Sequence, residues 1–414
     1  MAEQPASISV NRSIIFFICI PFLFNKYATI ILSNFIDESV GTKIMETNNH
    51  ITKKRYRSID VTRGIVVLVS VFVSALPGGA EYDFLRHAYW YGLTITDLVF
   101  PAFLTVYGIG LAIVYRKGVR WKDLLRRTFL LVLYGLLFNL IASWSFDLST
   151  LRFTGVLQLF AITGLGVVVL SYLAKGWKSM LALGMVIATA YLSILVISSV
   201  GCEGGVPQRD CNPSGVVDVL VFGEKHMYAQ GEKGFDPEGI LSIFSALSNV
   251  AFGFAVGLVL NGRKQILQRV FGISIGLISL AFIFNNFIEL NKRLWTPSFA
   301  ILASGLTLLL LAILFYLIDT RERKQGKLTG IPLWYLEAFG RNSFLIYFGK
   351  MLVFLLFGKI VINLFEREGS LASLLFEFLE GRVAYPHFFY SGLFIVFWSV
   401  VAVVMHANKK YVRV

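Results

Sequence analysis

The stretch WTPSFAILASGLTLLLLAILFYLI, from Trp295 to Ile318, carries no charged side chain in 24 consecutive positions. At about 1.5 Å per residue, a helix of that length rises roughly 36 Å, enough to cross the roughly 30 Å hydrocarbon core of a bilayer. Helices buried in water-soluble cores are seldom so long and so uniformly apolar. Comparable stretches recur on both sides, at 64–80, 94–115, 127–144, 154–174, 178–200, 239–261, 267–288, 338–360 and 388–406. With 295–318 they predict ten spans. Ile14 to Phe35 is an eleventh candidate, interrupted by Asn25 and Lys26. The expected fold is therefore all-α, a polytopic transmembrane helical bundle of 10–11 spans. Residues 1–52 read as an N-terminal extension with a possible extra span, and Met45 leaves a start-site extension equally open. Residues 53–414 read as one transmembrane domain.

Composition agrees, with 56% hydrophobic and 15% charged residues against about 25% charged in ordinary soluble domains. The short alternating segments of a closed barrel are absent. A net charge of +13 raises the question of nucleic acid, but the placement of the basic residues answers it. They cluster in alternate connections, among them Arg55, Arg57 and Arg63, then Arg116, Lys117 and Arg120, then Lys175 and Lys178, and finally Lys409 and Lys410. This is the positive-inside asymmetry, and it puts those connections in the cytoplasm. The connections 81–93, 145–153, 201–238, 289–294 and 361–387 then face outward, next to the lipid bilayer that is the chain's first partner. Cys202 and Cys211 share the longest outward loop, where an oxidising space favours a disulfide; two free thiols are the alternative. The pairs Gly253/Gly257 and Gly272/Gly276 have the small-xxx-small spacing of close helix packing. No CxxC, HExxH or Cys/His cluster suggests a metal.

Among five histidines, His87 stands out for its neighbours, the run RHAYWYGLTITDLVFP from Arg86 to Pro101. Histidine titrates near neutrality and can carry a proton. Asp97 follows ten residues later, inside the outer part of a span, where a carboxylate must pair within the bundle or line a pathway. A helix-bonding role and a direct role for Asp97 are both open. Lys350 lies within a span and must pair, face a cavity or snorkel. Asn291, Lys292, Trp295 and Asn342 have the polar and aromatic makeup of a ligand cavity, with helix capping as the other reading of the two asparagines.

The run from His87 to Pro101 resembles the signature of the heparan-alpha-glucosaminide N-acetyltransferase family. Five further matches keep the family's order: Arg57 to Gly64, Gly155 to Gln158, Asp236 to Gly239, Asn291 to Thr296, and Arg341 to Ser343. The resemblance implies a membrane acyltransferase domain that takes acetyl-CoA from the cytoplasm, without a metal, and acetylates a sugar amine on the other face. It assigns the catalytic histidine to His87, and the family's catalytic asparagine falls at Ser74, which keeps a single hydroxyl. Two arginines frequent in the family are replaced here by Leu159 and Val219, so the acceptor is less defined than the reaction.

Acetyl transfer needs a base for the attacking group's proton and donors for the developing oxyanion. His87 serves as that base with Asp97 holding its tautomer, or it carries the acetyl group covalently; both routes stay open. Arg63, at the cytoplasmic edge, suits a CoA phosphate. The candidate set is thus His87, Asp97 and Ser74 for chemistry, and Arg63, Asn291, Lys292, Trp295 and Asn342 for binding acetyl-CoA. The expected acceptor is an extracytoplasmic carbohydrate amine or hydroxyl, the expected location a bacterial cytoplasmic membrane, and a homodimer the assembly to test. A transporter and an inactive relative are the competing readings.

Overall fold

Where a chain runs through lipid, its backbone polar groups must bond to one another, and the helix does this within each segment. The computed structural model, which describes residues 55–77, 82–262, 264–320, 327–364 and 367–412, shows that outcome. The helices are α1 Arg57–Ala75, α2 Ile95–Val114, α3 Trp121–Ser143, α4 Val156–Leu170, α5 Trp177–Ser198, α6 Pro213–Phe222, α7 Ile240–Gly262, α8 Ile266–Asn285, α9 Pro297–Leu314, α10 Lys327–Arg341, α11 Ser343–Lys359, α12 Leu371–Glu380 and α13 Pro386–Ala407. Strands β1 Val361–Leu364 and β2 Arg367–Ser370 form a small antiparallel hairpin between α11 and α12. The expected span at 14–36 lies outside the described residues, as do His50 and Cys19.

Among the described residues, eight helices are long and apolar enough to cross a membrane. A ninth span is broken: α10 and α11 meet at 70°, with Asn342 between them. The expected span at 154–174 is the 15-residue α4, about 22 Å of helix and shorter than a bilayer core. The short α6 in the long connection, the hairpin and α12 were not anticipated.

Small residues set the closest approaches. A Cβ on Gly108 of α2 would overlap the Val250 carbonyl of α7, and one on Gly253 would overlap the Thr105 carbonyl. Gly257 packs on Ala112, as its spacing predicted. Gly64 and Gly340 bring α1 against α10 in the same way. Gly272 and Gly276 correct the expectation: nothing lies within 4 Å of a Cβ at either, and both line an apolar groove with Trp177 and Leu181. Between the packed helices, Asn249 Nδ2 donates to the Ala300 carbonyl and to Ser304 Oγ, both at 2.8 Å. Interhelical bonds of this kind contribute about 0.6 kcal/mol each on average.

The connections 82–94, 144–155, 199–239 and 286–296 meet at one end of the bundle. Trp90 Nε1 donates to Pro207 O at 3.0 Å, and Arg293 Nε donates to Tyr89 O at 3.1 Å. His226 Nδ1 lies 2.7 Å from Leu151 O. Cys202 and Cys211 are disulfide-bonded in the same assembly, their Cα atoms 5.8 Å apart. At the other end, Asp319 accepts the N–H groups of Arg57 at 3.1 Å and Ser58 at 3.2 Å, capping α1.

Candidate active site

Helix α2 begins at the residue after Thr94, and its first turn supplies the carboxylate of the site. Asp97 Oδ2 accepts from the Thr94 N–H at 3.2 Å and the Thr94 hydroxyl at 3.0 Å. The same oxygen accepts the Ala88 N–H at 3.1 Å, which ties the preceding loop to the helix. The loop is held further by Thr96 Oγ1, which donates to Leu85 O at 2.7 Å, and by the Gly92 N–H on Leu290 O at 2.8 Å. Held in this way, His87 places Nδ1 2.7 Å from Asp97 Oδ1. Asp97 is 1% exposed, so the charge at membrane depth has found its partners.

Lys292 completes the cluster, with Nζ 3.4 Å from Asp97 Oδ1 and 3.0 Å from His87 Nδ1. A single Nδ1 cannot both donate to the carboxylate and accept from an ammonium. The arrangement fits an Nδ1–H that donates to the Asp97 carboxylate, with Lys292 paired to the same carboxylate and Nε2 left as the unprotonated nitrogen. Lys292 is fixed by the turn behind it. Asn291 Oδ1 accepts the N–H groups of Arg293 at 2.8 Å and Leu294 at 3.0 Å, and Trp295 Nε1 donates to Asn249 Oδ1 at 2.9 Å. Burial lowers the pKa of Lys292, and the Asp97 and Glu238 carboxylates only partly oppose it.

A cavity of about 260 Å³ opens beside this triad. Its helix-side wall is Gly135, Phe138 and Asn139 of α3, Gln158 of α4, and Phe348 and Met351 of α11. Its loop-side wall includes Arg152, Tyr228, Glu238 and Arg293. Arg152 is clamped: its Nη2 donates to Asp236 Oδ1 at 2.5 Å and to Glu238 Oε2 at 2.6 Å, and its guanidinium lies 5.0 Å from the Tyr228 ring centroid. Burial opposes the charge on Arg152, but Glu238 and Asp236 outweigh it and hold the guanidinium above its usual pKa. Burial also pushes Glu238 up, with Arg152 opposing.

Behind that cluster Asp218 of α6 is fully buried, with Oδ1 accepting the Ile240 N–H at 2.8 Å and Oδ2 without a partner. Burial first, and the Asp236 charge after it, push Asp218 up to about 7, with the Ile240 bond opposing. An acid whose folded pKa is raised holds its proton in the native state while the unfolded chain has lost it. Stability contributed by the protonated form is therefore lost as pH rises from the unfolded value near 4 to about 7. Asp218→Asn is expected to flatten the dependence of Tm on pH across that window, with the variant gaining a few degrees on wild type by pH 8. Parallel Tm curves for the two proteins would refute it.

Of the residues singled out from sequence, the structure brings together His87, Asp97 and Lys292. Asn291 shapes the turn without lining the cavity, and Trp295 is 1% exposed in the helix core. Ser74 is not on the cavity wall; its hydroxyl accepts from Lys350 Nζ at 2.5 Å, and Lys350 also donates to Ser70 O at 3.0 Å. Arg63 stands near the opposite end, 3.8 Å from Asp60, its guanidinium against Gly110. Asn342 stands at the N-cap position of α11 at the break but makes no side-chain cap there; its Nδ2 donates back to Ala338 O of α10 at 3.2 Å, and its Oδ1 has no partner. Sequence reasoning missed Arg152, Asp236, Glu238 and Gln158 as site residues. Three of the four lie in runs that carry the resemblance, and that was the available signal.

Residues 55–201 match the family model described as heparan-alpha-glucosaminide N-acetyltransferase, catalytic. The human heparan-alpha-glucosaminide N-acetyltransferase is 30% identical over 359 residues, covering 71% of this chain and 52% of the human protein. The mouse protein of that name is 26% identical over 426 residues, covering 87% of this chain and 60% of its own. The chain thus spans little more than half the length of these relatives. Over residues 55–201, which hold His87 and Asp97, this integral membrane protein is similar to the heparan-alpha-glucosaminide N-acetyltransferase family.

Proposed function

We propose that the chain is a membrane acetyltransferase, moving acetyl from CoA, supplied at the cytoplasmic end, to an amine or hydroxyl of a carbohydrate held on the outward side. A bacterial cytoplasmic membrane is the proposed location. The observation that carries the reading is the His87–Asp97 pair at 2.7 Å, opening on a cavity with its Nε2 free to accept a proton. The acceptor's nitrogen or oxygen attacks the thioester carbonyl and loses its proton to Nε2. The new bond to carbon forms, the carbon–sulfur bond breaks, and the departing CoA thiolate takes the proton back from the imidazolium.

Support for the donor comes from the other end of the bundle. Arg63 pairs with Asp60 there, while Nε of Arg127 and Nε of Arg341 are buried with no hydrogen-bond partner, and planar guanidinium groups suit phosphate. Asn342 adjoins Arg341 at the break. The cavity reaches Gly135 and Met351 within the helices, which suits an acyl group entering through the bundle rather than from the loops. On the loop side, Glu238, Arg152 and Arg293 supply both hydrogen-bonding polarities to an acceptor, in place of the arginines that the family carries where Leu159 and Val219 stand.

Purified protein given labelled acetyl-CoA and a panel of amino sugars is expected to release CoA and form acetylated sugar in equal amounts. Release without an acceptor would point to the acetyl-histidine route or to hydrolysis. Neither release nor product with any acceptor would leave an inactive relative.

A further inference from the structure

Gln158 lies in the first turn of α4, is 4% exposed, and has an Nε2 with no partner. Leaving a buried amide unpaired is costly, so a native protein that keeps one has a use for it. The surroundings are built around this side chain. A Cβ on Gly135 of α3 would overlap the Gln158 carboxamide, and one on Gly155 would come within 2.9 Å of its Oε1. Gly155 also has φ +154, which favours glycine, and it starts α4 with no side-chain cap.

The first intrahelical bond of α4 runs from the Leu159 N–H to Gly155 O. The N–H groups of Val156, Leu157 and Gln158 therefore have no acceptor within the helix. Gly155, Val156, Leu157 and Gln158 all line the cavity that holds His87. An uncapped helix N-terminus carries partial positive charge and donors aimed along its axis. The unpartnered carboxamide adds a donor beside it, since exchange of its oxygen and nitrogen leaves the shape unchanged. The lining of one cavity thus offers both donors and a base.

We propose that the Gln158 carboxamide and the uncapped N-terminus of α4 form the oxyanion-binding element of the transfer, receiving the thioester carbonyl oxygen as it becomes negatively charged. The inference rests on the acetyltransferase reading above. As the acceptor adds to the carbonyl carbon, the carbon–oxygen π pair moves onto oxygen, which Gln158 and the helix terminus hold. When the pair returns, the carbon–sulfur bond breaks and CoA leaves. The donors gain strength in the intermediate because charge develops where they point.

The test compares wild type, Gln158→Leu and Gln158→Glu in the full-length protein, with acetyl-CoA and with its dithioester analogue, in which sulfur replaces the carbonyl oxygen. Wild-type acetylation of an amino sugar checks the underlying reading first, and its absence overturns that reading and the proposal together. With wild type active, Gln158→Leu is expected to lower kcat about 10²- to 10³-fold with acetyl-CoA, to leave KM for both substrates within a few-fold, and to lose far less with the dithioester, a weaker acceptor. Gln158→Glu keeps the size and places a carboxylate where the oxyanion forms; it is expected to lose at least as much, and it decides the question if the leucine variant does not fold. Unchanged kcat, or equal losses on the two donors, would overturn the assignment while leaving the acetyltransferase reading intact.

Discussion

His87→Ala is expected to lower acetyl transfer roughly 10²- to 10⁴-fold, the range that a positioned general base contributes, while acetyl-CoA binding stays within a few-fold of wild type. The separation follows from position. His87 sits among loops at one end of the bundle, its side chain 51% exposed, and it lines the cavity. The basic groups suited to CoA phosphates lie at the other end, near the start of α1 and the α10–α11 break. Folding should be little affected, because the loop is held by Trp90, Gly92 and Thr96 rather than by the imidazole. Initial rates of CoA release with an amino sugar, alongside a direct binding measurement, check both halves. A larger loss, with acetyl found on His87 of wild type by mass spectrometry, would favour the covalent carrier over the base. Undiminished transfer in the variant would move the chemistry elsewhere.

What could be read from sequence divides along the physics. Spans such as 295–318 were legible because lipid imposes length and apolarity on every crossing. The break at Asn342 was not, because Arg341, Asn342 and Ser343 read as the polar edge of a span expected at 338–360, whereas a helix also precedes them and packs on α1 where Gly64 and Gly340 fit. The shortness of α4 was hidden by Tyr172 and Leu173, which follow Ser171 after the helix ends at Leu170 and lengthen the apolar stretch. His87 and Asp97 were legible as a pair because they are close in sequence and a carboxylate in a span demands a partner. Arg152 with Asp236 and Glu238 was not, since 84 and 86 residues separate the partners and each alone looks like an ordinary loop charge. Trp295 was read toward the cavity because polar residues and an aromatic side chain together suit a ligand; its indole instead answers Asn249 in the core.

Asp97→Asn is expected to approach the roughly 10⁴-fold loss that follows when the aspartate of a catalytic triad becomes asparagine. The reason lies in the donors around the carboxylate. Asp97 Oδ2 accepts two N–H groups and one hydroxyl, from Ala88 and Thr94, while Oδ1 faces the ring of His87 at 2.7 Å. Asparagine has one oxygen and one NH₂ group. The two backbone N–H groups cannot turn away, so the oxygen must take the Oδ2 place and the NH₂ group must face Nδ1. Nδ1 then accepts instead of donating, the ring proton moves to Nε2, and the nitrogen facing the cavity is no longer a base. Lys292 loses one of its two carboxylate neighbours in the same step. Helix α2 keeps its cap, so thermal stability should fall by little, and that contrast makes the experiment decisive. A variant that loses rate while keeping Tm and acetyl-CoA binding marks Asp97 as the group that orients His87. A variant with a lowered Tm but unchanged activity per folded molecule would make Asp97 a helix cap and leave the tautomer of His87 to another residue.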